Sequence, residues 1–173
     1  MQQRHAKIAI IGAGSAGLSA WHAARKHTDE VVLIEAGTYG TTCARVGCMP
    51  SKLLIAAANA AHNARKVEMF GITVNQVVIN GEAVMARVKH ERDRFVSNVM
   101  KSMKTIPESN LLRGHARFID PHTLVIDEHT RLTAEAIIIA TGSRPTWPKL
   151  LEGAGNRLII NDDVFNWETL PAS

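Results

Sequence analysis

The most constraining feature of this sequence is a glycine-rich turn, Gly12-Ala13-Gly14-Ser15-Ala16-Gly17, which lies between two patterned segments. Ala6–Ile11 before it is a short apolar run typical of a buried strand, and Ser15–Lys26 after it has helical spacing with small residues on its inner face. In such a turn the first glycine permits tight reversal, the second lets a phosphate approach the backbone, and the third allows helix and strand to pack closely. The pattern predicts a nucleotide-binding strand–turn–helix unit in a parallel sheet.

An acidic residue ends the next predicted strand. The segment Glu30–Glu35 is β-branched and apolar, and Glu35 lies 18 residues beyond Gly17. A carboxylate at the tip of this strand can accept hydrogen bonds from a ribose hydroxyl, and it would repel the 2′-phosphate of NADP. The motif by itself does not distinguish NAD from FAD.

The remaining chain alternates between helical and strand patterns. Apolar residues recur every four or seven positions from Val84 to Met103, which indicates a helix with one face in a core. The predicted elements are a loop at 36–47, a helix from Pro50 or Ser51 to about Val67, a helix at Gly81–Lys104, strands at Leu111–Ile119, Thr123–Asp127 and Arg131–Thr141, and a connector from Gly142 onward.

Two cysteines, Cys43 and Cys48, are separated by four residues, and the second lies where a helix is expected to begin. A helix N-terminus favours a thiolate, and a bridge across so short a loop suits redox exchange more than stabilisation. Two alternatives stay open, a pair of inert buried thiols and half of a zinc site. The zinc alternative lacks partners, because His115, His122 and His129 are spread over strands and turns.

Composition excludes several classes of protein. With 46% hydrophobic and 21% charged residues the chain is globular in composition, and its 173 residues suit one domain. The net charge of +4 comes from basic residues interspersed with acids, so no nucleic-acid partner is predicted. The longest apolar run, Leu53–Ala58, is too short to span a membrane. The basic start at Arg4 resembles a signal peptide, but the glycines that follow favour a loop, and a cytoplasmic location is expected.

A longer string carries a resemblance. The segment from Thr42 to Lys52, with its pattern T-C-x₄-C-x-P-S-K, resembles the active-site signature of the class I pyridine nucleotide–disulfide oxidoreductases. Gly114-His115-Ala116-Arg117-Phe118 and Ala140-Thr141-Gly142-Ser143 resemble two further landmarks of that family's flavin domain. The resemblance extends over essentially the whole chain, and within the family it is nearest to dihydrolipoamide dehydrogenase.

The resemblance implies FAD as the first nucleotide and a set of residues around it. Gly12, Gly14 and Gly17 would hold the pyrophosphate, Glu35 the adenosine ribose, and Lys52 would lie beside the flavin ring. The full implied cofactor set is Gly12, Gly14, Ser15, Ala16, Gly17, Glu35, Thr42, Lys52, Ala116, Thr141, Gly142 and Ser143. No metal ligands are implied.

By the same resemblance Cys43 and Cys48 form the redox-active disulfide. Cys48 would be the thiol nearer the flavin, and Cys43 the interchange thiol that reacts with the substrate. The implied reaction passes electrons between NAD(P)H, FAD, this disulfide and a small disulfide or dithiol such as lipoamide. The alternatives are a mercuric or glutathione-type reductase, a non-catalytic nucleotide-binding module with a thiol switch, and a flavoprotein whose cysteines are incidental.

The implied fold is α/β, an incomplete Rossmann-like FAD-binding domain with a parallel sheet, helices and a small antiparallel β-meander. Residues 1–143 would form its first segment and 144–173 a connector toward a domain for NAD(P) outside these residues. Family members are longer homodimers, so the chain is expected to be an N-terminal portion that is inactive alone.

Two positions depart from the family pattern. The family usually has Gly-Gly-Thr before the first cysteine, where this chain has Gly40-Thr41-Thr42, and it usually has asparagine at the position of Arg45. Thr41 restricts the backbone, and Arg45 places a cation between the two sulfurs in sequence. Arg45 would lower a thiol pKa, read an acidic substrate, or simply face solvent.

Overall fold

A computed structural model describes residues 1–172. The helices are α1 (Ser15–Ala24), α2 (Thr42–Arg45), α3 (Cys48–Ala64) and α4 (Gly81–Met103). The strands are β1 (Gln2–Ile11), β2 (Val31–Glu35), β3 (Leu111–Arg113), β4 (Ala116–Asp120), β5 (Thr123–Ile126) and β6 (Thr130–Ile139). The chain divides into two compact units, one of residues 1–42 and 98–144, the other of residues 43–97 and from 145 onward.

The first unit contains one six-stranded sheet in the order β3-β2-β1-β6-β5-β4. Strands β3, β2, β1 and β6 run parallel, and β1 pairs with β6 from Gln2 opposite Thr130 to Ile11 opposite Ile139. Residues alternate between two cores. Val32 and Ile34 face one cluster, and Val31 and Leu33 face the other. Trp21 and Ala24 of α1 belong to the cluster of Val31 and Leu33, whereas strand residues form the other cluster. Burial of β2 on both faces explains its continuous apolar run, and the parallel sheet with its helices confirms the predicted α/β class.

The predicted antiparallel meander is also present, as β4, β5 and β6, and it continues the same sheet. Only residues 114–115 separate β3 from β4, although these strands are opposite edges of the sheet. The sheet is therefore strongly curved, because a two-residue connection has to link its two edge strands. Leu124, Ile126 and Leu132 of the meander accordingly pack in one cluster with Ala9 and Val32.

Several predicted boundaries were wrong. The first strand, predicted at Ala6–Ile11, begins at Gln2. The single strand at Leu111–Ile119 is two strands, because Gly114, at φ +138°, turns the chain between them. The loop at 36–47 contains the four-residue helix α2. The helix predicted from Pro50 or Ser51 begins at Cys48, since Pro50 fits its first turn without needing an N–H donor.

The second unit is helical. Asn80 caps α4 by accepting a hydrogen bond at Oδ1 from the Ala83 amide at 3.0 Å. Farther along α4, Lys89 pairs with Glu168 at 2.6 Å, and Arg92 donates to the Phe165 carbonyl at 3.0 Å. These contacts attach the residues after 145, predicted as a connector, to α4. No helix among residues 1–172 combines the length and apolar character that a membrane span requires.

Candidate functional site

The glycine turn is fixed by close backbone packing in the first unit. A Cβ at Gly17 would overlap the carbonyl oxygen of Gly12, and a Cβ at Gly12 would overlap that of Ala140. Gly12 also has φ +107°, a conformation that other residues rarely adopt. The turn is anchored to the neighbouring strand because the Gly12 amide donates to the Ile34 carbonyl at 2.8 Å. Two of the three glycines are therefore sterically required.

The remaining glycine of the turn, Gly14, faces open space. It is the N-cap of α1, and a Cβ added there would meet no atom within 4 Å. No side chain caps this end of α1, and no acidic residue lies in its first turn. Backbone amides and the positive end of the helix dipole are thus presented at a place with room for an anion. The chemistry of this turn fits the diphosphate of a dinucleotide.

The carboxylate of Glu35 lies at the end of β2 and joins two backbone segments. Its Oε2 accepts a hydrogen bond from the Ala13 amide at 2.7 Å, and its Oε1 accepts one from the Gly37 amide at 2.6 Å. Each carboxylate oxygen has a further acceptor site. Glu35 can therefore receive ribose hydroxyls while its orientation is held by the protein backbone.

Arg113, which sequence reasoning did not single out, braces the loop that follows Glu35. Its Nη1 donates to the Gly37 carbonyl at 2.7 Å and its Nη2 to the Ala36 carbonyl at 3.0 Å. The guanidinium lies over the ring of Tyr39, 4.6 Å from its centroid. The pairing of β2 with β3 sets Glu35 opposite Arg113. Arg113 could have been identified from the sequence only if the pairing of β2 with β3 had been known.

The second landmark, around Ala116, is positioned by hydrogen bonds from the two amides that precede it. The Gly114 amide donates to the Glu35 carbonyl at 3.2 Å, and the His115 amide donates to Oδ1 of Asp127 at 3.1 Å. Asp127 has φ +45°, so its turn places the carboxylate against residues 114–115. Ala116 then begins β4. The strand predicted to end at Asp127 ends at Ile126, so Asp127 lies in the turn that follows.

The third landmark, Thr141, Gly142 and Ser143, follows β6 and is exposed. Parallel strands end at the same side of a sheet, and ligands of open α/β sheets bind there. The carboxyl ends of β1, β2, β3 and β6 carry the glycine turn, Glu35, the 114–116 turn and these three residues. The structure therefore brings the sequence-predicted nucleotide residues of the first unit to one end of the sheet. Thr42 is exposed as the first residue of α2.

The two cysteines lie in the second unit, Cys43 in α2 and Cys48 as the first residue of α3. Both are free, with Cys43 half-buried and Cys48 exposed. The hydrogen bond between the two side chains raises the pKa of Cys43, and burial of Cys43 and the charge of Cys48 raise it further. The Cys48 amide and the positive charge of Lys52 act the opposite way on that pKa. Within residues 1–172 no cluster of three or more metal-ligating side chains forms, so nothing completes a zinc site around this pair.

The backbone before the cysteines is strained at one position. Thr41 is buried and has φ +60°, in the left-handed region that favours glycine. This is the position where the family resemblance leads one to expect glycine. Arg45, the second departure, is half-buried at the end of α2.

Comparison with protein families gives one model that matches nearly the whole chain. Residues 6–171 match the model described as pyridine nucleotide-disulphide oxidoreductase. The chain is 32% identical over 177 residues to the soluble pyridine nucleotide transhydrogenase of Mycobacterium bovis (strain BCG / Pasteur 1173P2), covering 98% of this chain and 38% of the relative.

Two other relatives have different activities at similar identity. The mercuric reductase of Lysinibacillus sphaericus is 33% identical over 147 residues, covering 83% of this chain and 26% of the relative. The dihydrolipoyl dehydrogenase of Mycoplasma pneumoniae is 32% identical over 161 residues, covering 89% and 34%. The chain thus spans less than two fifths of the length of these relatives, and identity does not select one activity.

The fold also has a solved counterpart. The Cu(II) complex of the HOCl-induced flavoprotein disulfide reductase RclA from Escherichia coli superimposes with a TM-score of 0.70 at 24% identity, covering 95% of this chain and 34% of that chain. This likeness establishes the fold.

Proposed function

Since the chain belongs to the pyridine nucleotide-disulphide oxidoreductase family, we propose that it carries the FAD-binding turn and the redox thiols of a flavin-dependent disulfide oxidoreductase. The observation that carries this proposal is the hydrogen-bonded pair Cys43 and Cys48, at the uncapped N-terminus of α3. FAD supplies hydride acceptance from a pyridine nucleotide and two-electron delivery to a disulfide.

The cysteine pair favours a disulfide substrate over transfer between two pyridine nucleotides. Hydride transfer between nucleotides needs a flavin but no dithiol, so two contacting thiols would be idle in a transhydrogenase. A dithiol reduces a substrate disulfide by exchange. The Cys43 thiolate attacks one substrate sulfur and releases the other as a thiolate, which takes a proton from solvent. The Cys48 thiolate then attacks the Cys43 sulfur of the mixed disulfide, which closes the Cys43–Cys48 bond and releases the second substrate thiolate to be protonated in turn.

Because its pKa is raised, the Cys43 thiol has to lose a proton before it can attack the substrate. This thiol donates its hydrogen bond to Cys48, which is the first residue of α3. Reaction at Cys43 then requires that its proton pass to Cys48 or to solvent. Lys52, one turn along α3, stabilises negative charge on the pair through its effect on Cys43.

The chain's own residues provide a fitting nucleotide site. The glycine turn and Gly14 offer amides to a diphosphate, and Glu35 offers acceptor oxygens to a ribose.

We propose lipoamide or another small dithiol as substrate, NAD(P) bound outside these residues, and a cytoplasmic homodimer as the working form. Residues 1–143 and 144–173 remain the proposed functional division. Mercuric reduction is the second candidate, because vicinal thiols bind soft metals.

The test is a visible absorption spectrum of the chain reconstituted with FAD and titrated with dithionite. We expect bound flavin to gain a long-wavelength shoulder at two-electron reduction, because the Cys48 thiolate would lie against the flavin. The shoulder should be absent in Cys48→Ser. In the matched variant Cys43→Ser, which has no disulfide to reduce, it should be present before dithionite is added and vanish as the flavin is reduced. Adding lipoamide or mercuric ion to the reduced chain would then distinguish the two substrates by which one reoxidises it.

Bound flavin with no shoulder in any variant would refute the role of the thiols. Absence of flavin binding by the wild-type chain, measured together with unchanged folding by circular dichroism, would refute the proposal that these residues hold FAD by themselves.

A further inference from the structure

The side chain of Arg113 contacts the loop after β2. Arg113 donates to two successive carbonyls, those of Ala36 and Gly37, at 3.0 and 2.7 Å. Its guanidinium also covers the ring of Tyr39. A planar fork that spans two acceptors and an aromatic face fixes a loop more rigidly than a lysine could.

The same loop supplies one of the two donors that orient Glu35. The Gly37 amide donates to Oε1 of Glu35 at 2.6 Å, while its carbonyl is the acceptor for Arg113. The peptide groups around Gly37 therefore connect Arg113 to the carboxylate. The other donor, the Ala13 amide, belongs to the glycine turn and has no link to Arg113.

We propose that Arg113, with Tyr39, is a positioning residue for the adenosine end of the nucleotide site. It clamps residues 36–39 and so holds the Gly37 amide against Glu35, which presets the direction of the carboxylate toward ribose hydroxyls. Arg113 acts through Glu35 and touches no reacting atom. This inference rests on the proposed function, since it concerns the residue proposed to bind ribose.

Holding the carboxylate in place before the nucleotide binds should have a measurable effect on affinity. A carboxylate held by two amides loses little freedom when a ribose binds, whereas a carboxylate with one amide has to be ordered by the ligand. Loss of Arg113 should therefore weaken binding of the adenosine half and leave the flavin half unaffected. We expect the dissociation constant for ADP to rise about five- to tenfold in Arg113→Met, and that for FMN to stay unchanged.

The test combines a double-mutant cycle with amide exchange. ADP and FMN affinities are measured by calorimetry for the wild type, Arg113→Met, Glu35→Gln and the double variant, with Arg113→Lys as the conservative variant. Because Arg113 acts through Glu35, Arg113→Met should have no further effect in the Glu35→Gln background. Arg131→Met removes another exposed arginine of the same sheet and should bind ADP like the wild type.

Hydrogen exchange of the ligand-free chain gives a readout that needs no nucleotide. Arg113→Met should accelerate exchange at the Gly37 amide about tenfold and leave the Ala13 amide and the core amide of Leu33 unchanged. Glu35→Gln should accelerate exchange at both Gly37 and Ala13, because both amides donate to that carboxylate.

Several results would overturn the inference. Unchanged Gly37 exchange in Arg113→Met would do so, as would equal acceleration at Gly37, Ala13 and Leu33, which indicates general loss of stability. Additive effects of Arg113→Met and Glu35→Gln on ADP affinity would also do so. A wild-type chain that binds no ADP refutes the proposed function instead, and Gly37 exchange then decides alone whether Arg113 holds the carboxylate.

Discussion

The glycine turn at residues 12–17 and the thiol segment at 41–48 both place functional groups at the start of a helix, yet they are determined in different ways. In the turn, backbone atoms leave no room for a Cβ at Gly12 or Gly17. In the thiol segment, a strained Thr41 precedes a four-residue helix, and the properties of the thiols depend on one another. Backbone packing fixes the first site, whereas contacts between side chains set the chemistry of the second.

The largest expected effect distinguishes a glycine that packing requires from a glycine that leaves room for a ligand. Gly17→Ala places a methyl group on the carbonyl oxygen of Gly12, and the Gly12 backbone cannot move aside because it is hydrogen-bonded to β2. We expect the free energy of unfolding to fall by about 3 kcal/mol or more, the range of severe overpacking. Urea denaturation followed by circular dichroism measures the loss.

Gly14→Ala is the matched control, because its methyl group would point into open space. Its stability should fall by about 1 kcal/mol or less, because alanine is a poorer N-cap than glycine. Its affinity for ADP should fall nonetheless, since the methyl group occupies the approach of the diphosphate. Equal destabilisation by the two variants would contradict the distinction between them.

A smaller effect concerns the coupling of the two thiols. The hydrogen bond with Cys48 is the largest cause of the raised Cys43 pKa, so Cys48→Ala should lower that pKa. Alkylation of Cys43 by iodoacetamide requires the thiolate, and its midpoint should therefore move to lower pH in this variant. Mass spectrometry of the modified peptide over a pH series measures the midpoint.

Lys52→Met should move the same midpoint to higher pH, because the Lys52 charge lowers the pKa of Cys43. His62→Ala, at the far end of α3, serves as the control and should leave it in place. A midpoint that does not change in Cys48→Ala would show that the thiols titrate independently.

The smallest expected effect tests the strained backbone. Thr41→Gly relieves a left-handed conformation at a β-branched residue, but glycine costs more backbone entropy on folding. We expect a net gain in stability of about 0.5 kcal/mol by thermal unfolding. Gly40→Ala, at φ +110°, should instead lose about 1 kcal/mol or more. A Thr41→Gly variant less stable than the wild type would show that the buried threonine side chain contributes more than the strain costs.

Sequence patterns predicted the parts of the fold that depend on local spacing. The turn between β1 and α1, the acid ending β2 and the apolar face of α4 all follow from residues close together in the chain. The α/β class, the parallel sheet and the antiparallel meander followed from those elements and the family resemblance. The family model and the relatives confirm the recognition itself.

Features that depend on pairing between distant strands were not predicted. The break at Gly114 was not visible in the pattern of Leu111–Ile119, because it arises from the placement of β3 and β4 at opposite edges of the sheet. The brace formed by Arg113 depends on the pairing of β2 with β3, and its partners lie far away in sequence. The roles of the individual site residues stay predictions.

The pairing of β1 with β6 has a consequence for how the chain is made. Gln2 pairs with Thr130, so the centre of the sheet cannot form on the ribosome until β6, the last strand among the described residues, has been synthesised. Until then β1 has β2 as its strand partner and exposes an unpaired edge. Helices α3 and α4 need only local hydrogen bonds and can form earlier, while the non-local closure of the sheet is the slow step. The segment that carries the thiols is therefore synthesised and able to form helices before the glycine turn has its complete sheet.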